Sequence, residues 1–479
     1  MSPSKNSYEN PLESRYASKM MLALFSPQYK FSTWRRLWLA LAESQHELGL
    51  AITEKQLNAM RQQLENIDFE VAAEQECLTR HDVMSHIHTF AQAAPEAAPI
   101  IHLGATSAFV GDNTDIIQMR GALDLIQSRL LNVIQNLTHF AREQRHQPTL
   151  GYTHYQPAQL TTVGKRATLW LRELEIDFHD GSYLRDTLLL RGTKGTTGSQ
   201  ASYLQLFHDD AQKVIELDRK VADKMGFSAS EPVTGQTYSR KQDDRVMNWL
   251  GGIAQSAHRL TNDIRLLQHH RELEEPFGKN QVGSSAMPYK RNPMRSERVA
   301  SLARFVISLG TSTAITAATQ WLERTLDDSA NKRLSIPQAF LAVDAILILL
   351  ADITDGLLVN RAVIERRLRQ ELPFIATENI LMRAVEAGGD RQQLHELIRK
   401  HAMEAAAVIR AGGDNDLLKR LAADSHFPLK AAELDKLLNP ADYIGLADRQ
   451  VEDYLRQNIL PLLEQNADMM DLNREEIRV

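Results

Sequence analysis

The chain has 479 residues, of which 43% are hydrophobic and 24% charged, with a formal net charge of -6. That length exceeds one ordinary core and suggests about three domains, and the composition is that of soluble globular proteins. The weak acidity gives no bulk case for nucleic acid or an anionic membrane surface, and the single cysteine, Cys77, excludes an intrachain disulfide and fits a reducing compartment.

Any anionic ligand must therefore be met by locally clustered cations. The first residues, Met1 to Ser7, have no apolar run of the secretory kind, so a cytoplasmic location is expected. Arg15-Tyr16 carries no signal alone. Thr79-Arg80-His81-Asp82-Val83-Met84 follows, with Asp82 two residues after Arg80 and able to orient it or to pair with a neighbour. His81, His86 and His88 lack the i, i+4 spacing of helical metal ligands, so no metal site is expected. His102-Leu103-Gly104-Ala105-Thr106-Ser107 leads into Gly111-Asp112-Asn113-Thr114-Asp115. The segment is a loop and helix N-cap that also offers hydroxyl donors for a carboxylate.

Beyond it apolar residues recur at spacings of three and four, which is helix periodicity. Met119, Leu123, Ile126, Leu130, Val133, Leu137 and Phe140 form the first stripe. Ile116, Ile117, Leu131 and Ile134 lie off that face and hint at packing against other subunits. Thr153-His154-Tyr155-Gln156-Pro157-Ala158-Gln159 sets a histidine just ahead of a helix that Pro157 can start. Leu160, Val163, Ala167, Trp170 and Leu174 make the second stripe. Arg191-Gly192-Thr193-Lys194-Gly195-Thr196-Thr197-Gly198-Ser199 is glycine-rich but lacks the GxxxxGK[ST] spacing and follows a helix, so a supporting turn is the better reading than a phosphate loop. Val246, Trp249, Ile253, Ala257, Leu260, Ile264 and Leu267 form the third stripe, interrupted by Gly251-Gly252.

Gly283-Ser284-Ser285-Ala286-Met287-Pro288-Tyr289-Lys290-Arg291-Asn292-Pro293 comes next. Its small residues let backbone approach a ligand closely, and its hydroxyls and cations suit an anionic one. Leu302, Phe305 and Leu309 begin a fourth stripe, and Phe340, Val343, Ile346, Leu350, Ile353 and Leu357 make a fifth. Arg324-Thr325-Leu326-Asp327-Asp328-Ser329-Ala330-Asn331 stands between them. The apolar run Ala345–Ala351 is too short to span a bilayer. Gly412-Gly413 marks the strongest late turn. The expectation is an all-α protein with a central bundle of about five long helices. Its expected units are residues 1–111, 112–359 and 360–479, all helical, with the loop around Lys290 on the central one.

The string Gly283 to Pro293 resembles the signature loop of the aspartase/fumarase superfamily of lyases, and with Tyr289-Lys290-Arg291 it resembles the adenylosuccinate lyase branch. Thr153 to Gln159, Gly235-Gln236-Thr237 and Arg324 to Asn331 are similar to the same family, and the resemblance covers nearly the whole chain. Tyr289 stands where many bacterial members carry histidine, which is typical of the animal branch. The resemblance implies a three-domain fold and β-elimination of fumarate from adenylosuccinate and from succinyl-aminoimidazole-carboxamide ribotide, in purine nucleotide biosynthesis. It implies His154 as general acid and Ser284 as general base, with Lys290 and Asn292 stabilising an aci-carboxylate and Glu297 orienting the histidine. It implies Arg15, Arg80, Arg298, Arg324 and Arg333 as anion-binding arginines, which suits two carboxylates and a phosphate. Tyr16, His81, Asp82, Thr106, Ser107, Gln236 and Ser329 would join them by hydrogen bonds. It implies no cofactor or metal, and a homotetramer whose sites are shared between chains. Two alternatives stay open. One is another fumarate-releasing lyase of the superfamily, such as argininosuccinate lyase, for which these cations are too many. The other is a catalytically silent homologue, which would not need Ser284, His154 and Lys290 together.

Overall fold

The computed structural model describes residues 6–278, 281–283 and 285–470. The chain is built from helices that pack along one another, with two small two-stranded sheets. In chain order the elements that matter here begin with α1 (Pro27–Glu47), α2 (Phe69–Thr79), α3 (Asp82–Ala93) and α4 (Ser107–Glu143). A hairpin, β1 (Pro148–Thr153) and β2 (Gln156–Thr162), leads into α5 (Val163–Thr187), α6 (Ala211–Lys224) and α7 (Lys241–His269). Then follow β3 (Leu273–Glu274), α8 (Met294–Ala318), α9 (Asp328–Asp355), β4 (Leu358–Val359), α10 (Arg361–Ile375) and α11 (Arg391–Arg410).

Among the described residues five helices reach 25 residues or more, namely α4, α5, α7, α8 and α9. These are the five apolar stripes, and they pack side by side as the central bundle. The first stripe is buried because α4 runs through the middle, against α1, α5 and α9. Arg129 of α4 and Asp344 of α9 form a buried ion pair of 2.5 Å, and Asp344 also accepts from the Ser18 amide. Gly181 of α5 lies against the Trp249 indole of α7, where a Cβ would come within 2.6 Å of the ring. A separate apolar cluster gathers Ile380, Leu394, Ile398, Leu417, Leu421 and Leu434, while Val451, Leu455 and Ile459 return to the main core.

Three expectations are corrected. Pro157 does not start a helix. It sits in β2 opposite Tyr152, and α5 begins only at Val163, where the Thr162 hydroxyl accepts from the Lys165 amide at 3.0 Å. Leu160 therefore belongs to the strand and not to the second stripe. Ile116, Ile117, Leu131 and Ile134 are not surplus either, since each is buried within its own chain by the helices around α4. Exposed apolar side chains lie elsewhere, among them Leu169, Ile176 and Tyr183, seven residues apart on α5, and Ile307 and Ile315 on α8. Pro337 also falls inside a helix, although it has no N–H for the Arg333 carbonyl one turn earlier. Helix α9 is long and apolar enough to cross a membrane by length and composition, yet its apolar window is mostly buried in the chain, as a core helix is.

One buried acid in the bundle has a testable consequence. Asp177 of α5 takes a 2.6 Å hydrogen bond from Ser256 of α7, and burial, with Asp180 and Glu173 adding to it, pushes its pKa up to about 7. Its folded pKa lies above its unfolded one, so the folded state holds an extra proton between about pH 4 and 7. Stability must fall as pH rises through that window. Asp177→Asn is neutral throughout, so at pH 8 it should be more stable than wild type by about 1–3 kcal/mol, with the gain gone at pH 4. Thermal melts at the two pH values check this; a gain of the same size at both would contradict it.

Candidate functional site

A cavity of about 910 Å³ opens where α1, the α2–α3 junction, the start of α4 and the start of α9 meet. Arg80 ends α2 in the left-handed region (φ 53°), which breaks the helix and turns the chain directly into α3. His81 caps α3, accepting from the Met84 amide at 3.3 Å, and Asp82 pairs with Arg333 of α9 at 3.3 Å. Thr106 is the N-cap of α4, but its hydroxyl is buried and has no hydrogen-bond partner among the described residues. Ser107 opens the helix at the cavity wall, so the site contains the amide end of a 37-residue helix, which favours negative charge. Gln236 and Arg324 come from two loops that are held together by the Gln236 amide on the Glu323 carbonyl, at 2.9 Å. A Cβ on neighbouring Gly235 would strike that same carbonyl at 2.6 Å, so the close approach needs glycine. Of the expected residues, Arg80, His81, Asp82, Ser107, Gln236, Arg324, Ser329 and Arg333 all line this space.

Beneath them lies a buried charge network that the sequence did not announce. Arg240 bridges Asp112 of α4, at 3.0 Å, and Asp328 at the start of α9. Lys332 reaches Asp115 at 2.6 Å and Asp112 at 3.3 Å. Burial works to raise the Asp112 pKa, but Lys332 and Arg240 outweigh it and hold the carboxyl at about 2. Asp243 has Tyr238 as a hydrogen-bond donor at 2.6 Å, and burial pushes it up to about 6. Lys332, Asp112 and Asp115 are thus spent on one another. Lys30, Arg80 and Arg324 line the cavity too, and among the described residues these three make no ion pair. The glycine-rich stretch after α5 is a brace for this wall. Arg191 donates to the Gln236 carbonyl (3.0 Å from Nε), and Lys194 is held by Asp218 at 2.6 Å, which leaves no lysine free for a phosphate.

The other expected residues that the structure describes are not among those lining the cavity. His154 and Tyr155 are the two central residues of the β1–β2 turn, both at positive φ (53° and 58°). That turn twists with its strands but is unusual for residues this large. It is fastened from one side: the Tyr155 hydroxyl shares a 3.0 Å hydrogen bond with His270, and Tyr152 donates to Glu272, itself paired with Arg367 of α10. The His154 side chain is exposed and has no hydrogen-bond partner among the described residues. Ser284 lies outside the described residues. Around it the loop is pinned by the Asn292 amide on the Gly283 carbonyl, at 2.7 Å, and a Cβ on Gly283 would meet the Lys290 carbonyl at 2.0 Å. Close approach of the backbone explains glycine there. Lys290 is exposed, and so is Glu297 in the first turn of α8, which makes no contact with His154 within the chain. Arg298 stands 5.9 Å from the Tyr16 ring, and Arg15 beside it is exposed.

Two sets of residues went unread in the sequence. Asp112 and Asp115 were within a quoted segment but taken for helix-start residues, and Lys332 adjoins Asn331, so both had a positional signal. Lys30 and Trp34 had none, being two residues of an ordinary amphipathic helix.

Comparison with known proteins gives concordant results. A family model described as "Lyase" matches residues 28–308, and one described as "Adenylosuccinate lyase C-terminus" matches residues 373–454. The chain is similar to the adenylosuccinate lyase of Saccharomyces cerevisiae, 52% identical over 95% of this chain and 96% of that protein. It is 46% identical to that of Schistosoma mansoni, over 97% and 98% of the two chains. Among solved structures, the 3-carboxy-cis,cis-muconate lactonizing enzyme of Pseudomonas putida shares the fold with a TM-score of 0.81, at 24% identity, covering 94% of this chain and 99% of that one.

Proposed function

The chain belongs to the adenylosuccinate lyase family, and from that premise we propose the chemistry its residues perform. It is a lyase of purine nucleotide biosynthesis that releases fumarate. The substrates are adenylosuccinate and succinyl-aminoimidazole-carboxamide ribotide, both of which carry two carboxylates and a phosphate. The observation that carries this reading is the cavity's three cations without ion pairs, Lys30, Arg80 and Arg324, beside the amide end of α4. Lys30 and Arg324 are only partly exposed there, where an unpaired cation is costly unless a ligand supplies the charge, while Arg80 is exposed at the edge of the space.

The elimination needs a base at the succinyl carbon, an acid at the leaving nitrogen and fixed donors for the carbanion. Ser284 takes the proton and His154 gives one to the departing amine. Lys290 and Asn292 stabilise the aci-carboxylate, and Glu297 orients the histidine. Thr106 and Ser107 hold one carboxylate at the helix end. Gln236, Ser329, His81 and Asp82 fix the remainder with Arg80, Arg324 and Arg333. Arg15, Tyr16 and Arg298 complete the pocket.

His154, Lys290 and Glu297 are exposed and stand apart from the cavity in one chain, so the working site is completed by neighbouring subunits of a homotetramer. The exposed apolar residues of α5 and α8 supply a surface for that contact. The units 1–111, 112–359 and 360–479 remain our division of the chain, and the separate cluster around Ile380 and Leu421 favours the last of them. A cytoplasmic enzyme without nucleic-acid or membrane partners fits this chemistry. The reading is tested by removing the phosphate. Succinyladenosine, which lacks it, should be cleaved with kcat/KM at least about 100-fold below adenylosuccinate, because charge-assisted hydrogen bonds are lost. Equal values for the two would contradict the polyanion reading.

A further inference from the structure

Helix α8 starts without a cap of its own. Its N-cap residue is Pro293, whose side chain makes no capping hydrogen bond and carries no atom that could. The amides of Arg295 and Ser296, at the second and third helical positions, need acceptors from elsewhere. Glu275 supplies both, from twenty residues before Arg295. Its Oε1 accepts from the Arg295 amide at 3.0 Å and its Oε2 from the Ser296 amide at 2.9 Å. The Ser296 hydroxyl donates to the same Oε2 at 2.8 Å. Glu275 is 3% exposed, and its negative charge suits the amide end of a helix.

Two further contacts join the same two limbs of chain. Gln268 of α7 accepts from the Glu275 amide at 3.3 Å and donates to the Arg291 carbonyl at 3.1 Å. The Arg295 guanidinium donates to the Pro276 carbonyl and pairs with Asp352 of α9 at 2.6 Å. The chain therefore departs for the signature loop at Pro276 and returns at Met294 through one closed base, with Glu275 at its centre. A local N-cap would satisfy the same amides without tying the start of α8 to anything outside it. A cap drawn from the departing limb fixes one limb to the other. Ser296 is wholly buried by this clasp, while Glu297 directly after it is exposed, its amide on the Pro293 carbonyl at 2.9 Å. One side of the first turn is held to the core and the other is presented outward.

We infer that Glu275 is a positioning residue for the reaction: by capping α8 from the far limb of the loop, it sets the direction of the first turn and so the place of Glu297. This rests on the role given to Glu297 above.

The test measures adenylosuccinate cleavage by the full-length wild type, Glu275→Ala, Glu275→Gln, Glu297→Gln and the double variant Glu275→Ala/Glu297→Gln. Circular dichroism, melting curves and light scattering give the folded, assembled fraction to which kcat is referred. Glu275→Ala should lower kcat about tenfold or more and change KM by less than about threefold. Glu275→Gln keeps one acceptor oxygen and should recover part of that loss. If the alanine variant does not fold, Glu275→Gln takes its place throughout, with a loss of about threefold or more expected. In the double variant kcat should stay within about twofold of Glu297→Gln alone, because a residue that acts through Glu297 then has nothing left to position. A purely structural cap would lower the melting temperature and leave the kcat of the folded enzyme as in wild type. That result would overturn the inference, as would losses that multiply in the double variant. If Glu297→Gln itself turned over as wild type does, the role of Glu297 would fall first, and the positioning with it.

Discussion

His154→Ala should lower kcat by about 10²–10⁴ while the subunit assembly and fold stay intact, because the side chain lies in an exposed turn and supports no packing. The turn itself argues for a role. His154 and Tyr155 both hold positive φ, a conformation that costs on the order of 1 kcal/mol or more for residues of this kind. The hairpin tolerates that cost because it is fastened beneath, through Tyr155 to His270 and through Tyr152 to Glu272 and Arg367. The result is a fastened arm with an imidazole at its tip, and among the described residues that imidazole has no partner. A proton donor for a neighbouring subunit's substrate needs that arrangement. Steady-state kinetics with light scattering checks the prediction. Mixing His154→Ala with Ser284→Ala chains should then restore part of the activity, since hybrid assemblies contain some complete sites. Near-normal turnover by His154→Ala would remove the residue from the acid role.

Arg240→Met should cost about 3–5 kcal/mol of stability, the largest effect expected from a single substitution in this chain. Arg240 is 2% exposed and bridges Asp112 and Asp328, so it ties the starts of α4 and α9 to the turn before α7. Methionine fills much of the volume but leaves Asp328 buried without its cation, and leaves Asp112 with Lys332 as its remaining ion-pair partner beside the Tyr238 amide. An ion pair of this kind adds little over a well-packed apolar substitute; the cost lies in the partner left behind. The sign with pH follows. In the variant the stranded carboxylates have folded pKa values above their unfolded ones, so they take up protons in the folded state and stability falls as pH rises. The deficit should be smaller at pH 5 than at pH 8 when measured by denaturant unfolding. A loss under 1 kcal/mol, equal at both pH values, would show that the network does not carry the floor of the cavity.

The five long helices were legible because apolar residues recur at spacings of three and four along them, and over such lengths period alone is enough. The hairpin was not, because Tyr152 to Leu160 shows no clean alternation and Pro157 is as fit for a helix start as for this strand. The off-face residues of α4 misled for a different reason. A helix surrounded by its own chain is apolar all round, and sequence does not say whose side chains surround it. The cavity residues Arg80 to Asp82, Ser107, Gln236, Arg324, Ser329 and Arg333 were named from motifs and do meet in one space. His154, Lys290 and Glu297 do not join them there, which is the reason we propose that neighbouring chains complete the site. Lys30 escaped notice because a lysine at helical spacing is the ordinary content of an amphipathic helix.

The most direct test is fumarate release by the purified protein, given adenylosuccinate in one tube and argininosuccinate in another. Both substrates present two succinyl carboxylates, but only adenylosuccinate brings the phosphate that we propose the cations of the cavity bind. Fumarate from adenylosuccinate alone is the result expected here. Fumarate from argininosuccinate, with none from adenylosuccinate, would contradict it.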